Sequence, residues 1–446
     1  MRCPRCNSLI DDDTVFCGNC GKQIAPLQAQ GTTLANPDEE TLHVLSNPRG
    51  SGRAAPPSVL QTFSPPGVSA TPAQNDVVSA PRRAGFPFSG ATARVIIALA
   101  IIVLVGGALG LYATFNRAGN GQGSSLGIHA TGQIAFIDSS NGIPGHTDAL
   151  HISIQNLEPA PAGFHYNAWL VNNAAELTIA LGTLTASGQT FSLSYAGDGR
   201  NGQPGTNLIG AGDQVKITLE QGNVNAPTGR VILSATFPPK AFVHIRHLLY
   251  SFPITPGKIG LLVGLLNQVE LLNAQASLLQ NASANQNTPA IQCVSQSIIN
   301  IIEGRNGPAY KRLPPLCFSL NLANAGDGFG LLDNSAYILL ASEHASLAAT
   351  QPDATDTIRL HASHVETAMT NIKGWVTKIE QDALVLRAAP GNETVIQEIV
   401  TLSDRVIHGV DTDGDGRVDP VVGEAGAITG YDEGQLMATL QLVAGA

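Results

Sequence analysis

Residues 214–221 read Gln-Val-Lys-Ile-Thr-Leu-Glu-Gln, with Val215, Ile217 and Leu219 at one parity and Lys216, Thr218 and Glu220 at the other. Successive side chains of an extended chain point to opposite faces, so this stretch is a strand with one apolar side. The period of two recurs in seven runs: 133–138, 148–157, 164–172, 177–185, 190–196, 214–221 and 230–238. Phe191, Leu193 and Tyr195 repeat it, and clusters of Gly, Asn and Pro punctuate the runs. Short alternating strands at this spacing predict an antiparallel, Ig-like β-sandwich over 127–255.

Beyond about residue 258 the apolar period becomes helical. Helices are expected over 259–284, 289–303, 334–349, 354–388, 392–408 and 432–443, giving an all-α domain over 256–446. A weak internal repeat runs through it. Gln275-Ala276-Ser277-Leu278 parallels His344-Ala345-Ser346-Leu347, and the pair Asn300-Ile301 parallels Asn371-Ile372. Glycine-rich stretches follow at 326–330 and 423–426, so the pattern reads as a duplicated helix–helix–loop unit.

On the N-terminal side, 116–126 reads as a short stalk. Val95 to Phe115 is a run of 21 residues without a charge. As a helix it measures about 31 Å, close to the hydrocarbon thickness of a bilayer. A transmembrane helix is therefore expected over 94–116. Arg82, Arg83 and Arg94 precede it and only Arg117 closely follows, which places the N-terminus in the cytoplasm. The expected location is a bacterial cell membrane, crossed once, with the C-terminal region outside. Gly106 and Gly110 form a G-x-x-x-G that would allow a homodimer. Residues 25–93 hold ten prolines and little apolar content, so they are expected to be a disordered linker. The net charge of −10 argues against a nucleic-acid partner. Its sign resides outside: 1–94 carry eight basic and seven acidic residues, whereas 116–446 carry sixteen and twenty-seven.

Residues 1–24 contain Cys3-Pro4-Arg5-Cys6 and Cys17-Gly18-Asn19-Cys20. Two such knuckles can close a tetrahedral thiolate cage around Zn²⁺, and a segment with so little apolar content would need the ion to fold. Met1-Arg2-Cys3-Pro4-Arg5-Cys6 and Phe16-Cys17-Gly18-Asn19-Cys20-Gly21 resemble the short zinc ribbons of bacterial membrane proteins. The expected zinc is structural, held by Cys3, Cys6, Cys17 and Cys20, and the ribbon would dock a cytoplasmic protein. A redox thiol pair is the alternative.

Three further features carry chemistry. Cys293 and Cys317, on the oxidising side, are expected to form a disulfide. Asp411-Thr412-Asp413-Gly414-Asp415-Gly416-Arg417-Val418-Asp419 matches an EF-hand-type loop. Asp411, Asp413, Asp415, the Arg417 carbonyl and Asp419 would ligate Ca²⁺. Position 12 is Val422, so Glu424 would substitute through a longer loop. His361 and His364 share a helix face at i, i+3, and His344 precedes them on the adjoining helix. These three are candidate ligands for a metal or haem, with ordinary hydrogen-bonded histidines as the alternative. No phosphate loop or H-E-x-x-H occurs.

The stretch Gly163-Phe164-His165-Tyr166-Asn167-Ala168-Trp169-Leu170-Val171, followed by Leu181-Gly182-Thr183-Leu184, resembles the outer sandwich domain of anti-sigma-K-type membrane regulators. The resemblance covers about a quarter of the chain and implies a sandwich fold and a single-pass layout. The helical sigma-binding segment of such regulators is replaced by the cysteine knuckles. The expectation is thus a non-enzymatic single-pass membrane protein that binds a ligand or partner outside. The alternatives are a metal- or haem-binding protein using the helical histidines, and an anti-sigma-like regulator.

Overall fold

The computed structural model describes residues 130–139, 145–197, 205–322, 325–333 and 335–445. The expected zinc ribbon, linker and membrane-spanning stretch (1–24, 25–93 and 94–116) lie outside them. Among the described residues no helix is long and apolar enough to cross a membrane. The single-pass placement in a bacterial cell membrane is therefore corrected: it is not carried forward as a property of this chain.

All seven alternating runs form strands: β1 (Thr131–Ile137), β2 (Ala149–Gln155), β3 (Phe164–Asn172), β4 (Leu177–Thr183), β6 (Thr190–Tyr195), β7 (Gln214–Gln221) and β8 (Arg230–Thr236). Two more were not expected, β5 (Thr185–Ser187) and β9 (Leu440–Ala444). They decide the architecture. The strand order is β4-β3-β7-β8-β9-β1-β2-β6-β5, with every pairing antiparallel. Without β9 there would be two four-stranded sheets, as in a sandwich. β9 pairs with β8 on one side and β1 on the other and joins them. At the opposite seam β4 and β5 are the two edges, yet only Leu184 separates them in the chain. The Ig-like sandwich is corrected to a nearly closed antiparallel barrel, an arrangement that leaves little free edge.

The helices are α1 (Leu208–Ala211), α2 (Pro239–Leu249), α3 (Leu261–Ala284), α4 (Thr288–Glu303), α5 (Pro315–Ser319), α6 (Tyr337–Thr350), α7 (Asp356–Ala388), α8 (Glu393–His408) and α9 (Ala427–Leu436). The expectation of an all-α segment following the sheet is also corrected. The chain runs from α9 back into the barrel as β9, where Leu440 and Leu442 are buried and Gln441 and Val443 are exposed. A single apolar core extends from Ile134, Phe136 and Ile152 of the barrel to Leu265, Ile302 and Val376 of the helices.

Helix α2 lies in the stretch assigned to the end of the sandwich. Its sequence, PKAFVHIRHLL, buries Ala241, Phe242, Ile245, Leu248 and Leu249 on one helical face. Pro239 suits the first turn because its missing N–H would have no partner there. Pro238 has no side chain able to cap, and Asp353 does it instead, accepting from the N–H groups of Lys240 (2.7 Å) and Ala241 (3.1 Å). Asp353 belongs to the turn between α6 and α7, so this turn fixes where α2 begins.

Two long loops follow the internal repeat, and each is anchored on the asparagine that marks it. Asn300 donates from Nδ2 to Lys311 O (2.7 Å) and accepts Lys311 N–H at Oδ1 (3.0 Å). Asn371 donates to Val421 O (2.9 Å) and Ala425 O (3.2 Å) and accepts Gly423 N–H (2.8 Å). A planar amide offers donor and acceptor side by side, which suits it to satisfy the backbone of an irregular loop. The first loop also carries the disulfide between Cys293 and Cys317, as expected.

Candidate metal centres

Three groups of metal-type donors converge among the described residues. The most buried joins α2 to α6. His244 and His247 are one turn apart on α2, and His344 comes from α6. They are 0%, 6% and 7% exposed. His344 Nδ1 lies 3.1 Å from His244 Nδ1 and 3.2 Å from His247 Nδ1. Two imidazole nitrogens bound at about 2.05 Å to a tetrahedral ion stand roughly 3.3 Å apart. The spacing found is therefore close to that of a ligand set. Phe252 packs edge-on against both His247 and His344, closing one side with a hydrocarbon wall.

The electrostatics favour neutral rings at His244 and His344. Burial lowers the pKa of His244 to about 4. Burial, followed by the proximity of His247 and His244, lowers that of His344 to about 2. Neutral imidazole is the ligating form. A neutral ring has one N–H, and the single lone pair of His344 Nδ1 can accept well from one neighbour only. A cation would satisfy all three nitrogens together. Gln351, as placed, donates from Nε2 to His244 Nε2 (3.3 Å) and to Leu347 O (3.2 Å), which puts the His244 proton on Nδ1. Ligation through His244 Nδ1 asks for the other tautomer, with Oε1 of a turned Gln351 accepting from Nε2–H.

The second group joins α7 to α9. Glu433 Oε2 lies 2.6 Å from His361 Nδ1 and 2.8 Å from His364 Nδ1. The side chains are 17%, 26% and 12% exposed for His361, His364 and Glu433, so solvent reaches this group.

The third is the acidic loop after α8. Oxygens of Asp411, Asp413 and Glu424 come together there. Glu424 returns to the loop as the sequence suggested, and its carboxylate is held by Thr412 N–H (3.2 Å), Thr412 Oγ1 (2.5 Å) and Asp419 N–H (3.0 Å). Asp411 accepts from the N–H groups of Gly414 (2.6 Å) and Gly416 (2.9 Å). These bonds hold Asp411 and Glu424 below their ordinary carboxylate pKa values. Asp415 does not join the converging three; its Oδ1 accepts from Arg417 N–H (2.8 Å). Burial, then repulsion from Asp415, Glu424 and Asp413, raises the Asp419 pKa.

The expected histidine trio is thus divided. His344 pairs with His244 and His247, while His361 and His364 pair with Glu433. Sequence reasoning missed His244, His247 and Glu433 as ligand candidates. The signal for the first two was the H-x-x-H spacing inside the helical period of 239–249. Glu433 had none, because its helix approaches α7 only through the fold. Cys3, Cys6, Cys17 and Cys20 lie outside the described residues. No known protein family, curated protein or solved structure matches this chain.

Proposed function

We propose that this chain is a non-enzymatic metal-binding protein in which His244, His247 and His344 hold one divalent transition-metal ion. The carrying observation is the approach of three buried imidazole nitrogens to ligand spacing. Imidazole donors suit Zn²⁺ among the abundant metals. The close nitrogen spacing favours an ion over a haem, whose ring would have to pass between axial histidines. The ion ties α2 to α6, and its role is structural. Ca²⁺ is proposed for the acidic loop through Asp411, Asp413 and Glu424, with oxygen donors of the kind that ion prefers. The cysteine knuckles carry their own proposal of structural zinc, on sequence alone.

The test is zinc content of the full chain, exhaustively dialysed, for the wild type and for His344→Leu and His247→Ala. Each variant is expected to lose one equivalent and to lose the part of the thermal stability that zinc confers. Unchanged zinc content in folded variants would overturn the reading.

A further inference from the structure

The group formed by His361, His364 and Glu433 remains outside that reading. It repeats one element of the buried centre: a histidine pair at i, i+3 on one helix, completed by a residue from another helix. It differs in two respects. The third donor is a carboxylate instead of an imidazole, and the group is reached by solvent.

Its position is fixed from several directions. α6 and α7 are joined by the short turn 351–355. His344 lies six residues before the end of α6, and His361 lies five residues into α7. At 1.5 Å per residue each is about 8–9 Å from the turn. The two histidine groups therefore occupy the same end of this hairpin. Gly430, one turn before Glu433, lets α9 approach α7 closely: a Cβ there would meet Met369 Cε at 3.0 Å and Ala368 Cβ at 3.2 Å. That approach brings Glu433 against the histidine pair.

Two imidazoles and one carboxylate occupying one side of a cation leave its other positions for water or an added ligand. Sites of this composition serve Zn²⁺ and Fe²⁺ where the metal must exchange a ligand. From the convergence of these donors at a solvent-reached position we infer that His361, His364 and Glu433 form a second metal centre, of the open kind. There a divalent ion keeps coordination positions free for a small anionic or water-derived ligand. It stands independently of the buried three-histidine centre, because no donor is shared.

The experiment uses the full chain loaded with Co²⁺, whose visible bands report coordination, with metal content measured in parallel. The variants are His364→Gln, Glu433→Gln and, for the buried centre, His344→Leu; circular dichroism checks folding. His364→Gln and Glu433→Gln are each expected to lose one equivalent that His344→Leu retains. Azide is expected to shift the cobalt bands of the wild type and of His344→Leu but not those of the other two. If folded His364→Gln and Glu433→Gln keep the wild-type metal content, the group is a hydrogen-bonded clamp and the inference fails. Loss of an equivalent with no azide response in any form would refute the open positions. Failure of the buried centre reads separately, as unchanged metal content in His344→Leu.

Discussion

Two loops in the helical half solve one problem with different chemistry. Residues 304–336 follow α4 and residues 409–426 follow α8. Each is docked on a buried asparagine, Asn300 or Asn371, through bonds to loop backbone. The first is then stapled covalently, Cys317 of α5 to Cys293 of α4, and further held where Tyr337 Oη donates to Asp327 Oδ2 (2.7 Å). The second has no covalent tie among its described residues and gathers carboxylates instead. A disulfide acts whatever ions are present. Clustered carboxylates repel one another unless a cation joins them. Toward cations, therefore, the first loop is built to be constant and the second to respond.

The largest effect should come from the staple. Cys293 and Cys317 are 24 residues apart. Removing that closure costs about 3 kcal/mol in loop entropy. The double Cys→Ser variant is expected to lose that much stability in denaturant titration, equally with Ca²⁺ or with chelator. A calcium-dependent loss would erase the contrast between the loops.

Calcium should supply a comparable but conditional term. A cation that binds only the folded loop stabilises by about 2.7 kcal/mol at one hundred times its Kd. A rising Tm on Ca²⁺ addition, absent in Glu424→Gln, is the expected result. Glu424 accepts from Thr412 at one oxygen and from Asp419 at the other besides facing Asp411 and Asp413, so Gln removes the charge and one of the two acceptors while keeping the size of the side chain.

The asparagines offer a smaller and more symmetrical comparison. Truncating either to Ala leaves buried loop groups without partners, at a cost of about 2 kcal/mol. Asn371→Ala should also weaken calcium binding, since Gly423, whose N–H it holds, precedes Glu424. Asn300→Ala should leave calcium binding unchanged. Calorimetric titration of both variants separates the two roles.

Much of this was legible in the sequence, and the limit has a physical form. Alternation revealed strands such as β1 and β2, which turn one face to the core, whereas β3 is buried at both parities from Tyr166 to Val171 and showed itself by its apolar content. In the sequence β9 has the look of a helix tail, because what makes it a strand is remote: Leu440 and Leu442 pair with Ile134 and Gly132 of β1, and Val443 and Ala444 with Ser234 and Leu233 of β8. β5 is three exposed residues with no apolar pattern to notice. The acidic loop was readable because its converging carboxylates lie within one short stretch of the chain. The histidine centres were not, because His244 meets His344 across 100 positions and His361 meets Glu433 across 72. Capping of α2 by Asp353 is of the same class, a local event decided by a distant residue.

The two loops should also answer pH in opposite directions, the smallest effect and the most diagnostic. Under the first loop, Glu303 accepts Ala309 N–H and faces Glu380. Burial, with hydrogen bonding and repulsion from Glu303, raises the Glu380 pKa from 4.5 to about 7. The folded state thus keeps a proton that the unfolded chain releases. Its contribution is complete below pH 4.5 and is lost as pH rises toward 7. In the second loop Asp411 and Glu424 are depressed by backbone and hydroxyl donors. Their contribution is present above the ordinary carboxylate pKa and disappears as pH falls through the folded values. Asp419, pushed up by burial and then by Asp415, Glu424 and Asp413, opposes them at neutral pH, and a cation would relieve the repulsive part of that opposition. Hydrogen exchange, corrected for intrinsic rate, is expected to show amides near 307–311 opening between pH 5 and 7. Amides of 412–424 should open below pH 4, and Ca²⁺ should protect only the second set at neutral pH. Parallel behaviour of the two sets would mean that the loops respond through global stability, and that their different chemistry has no local consequence.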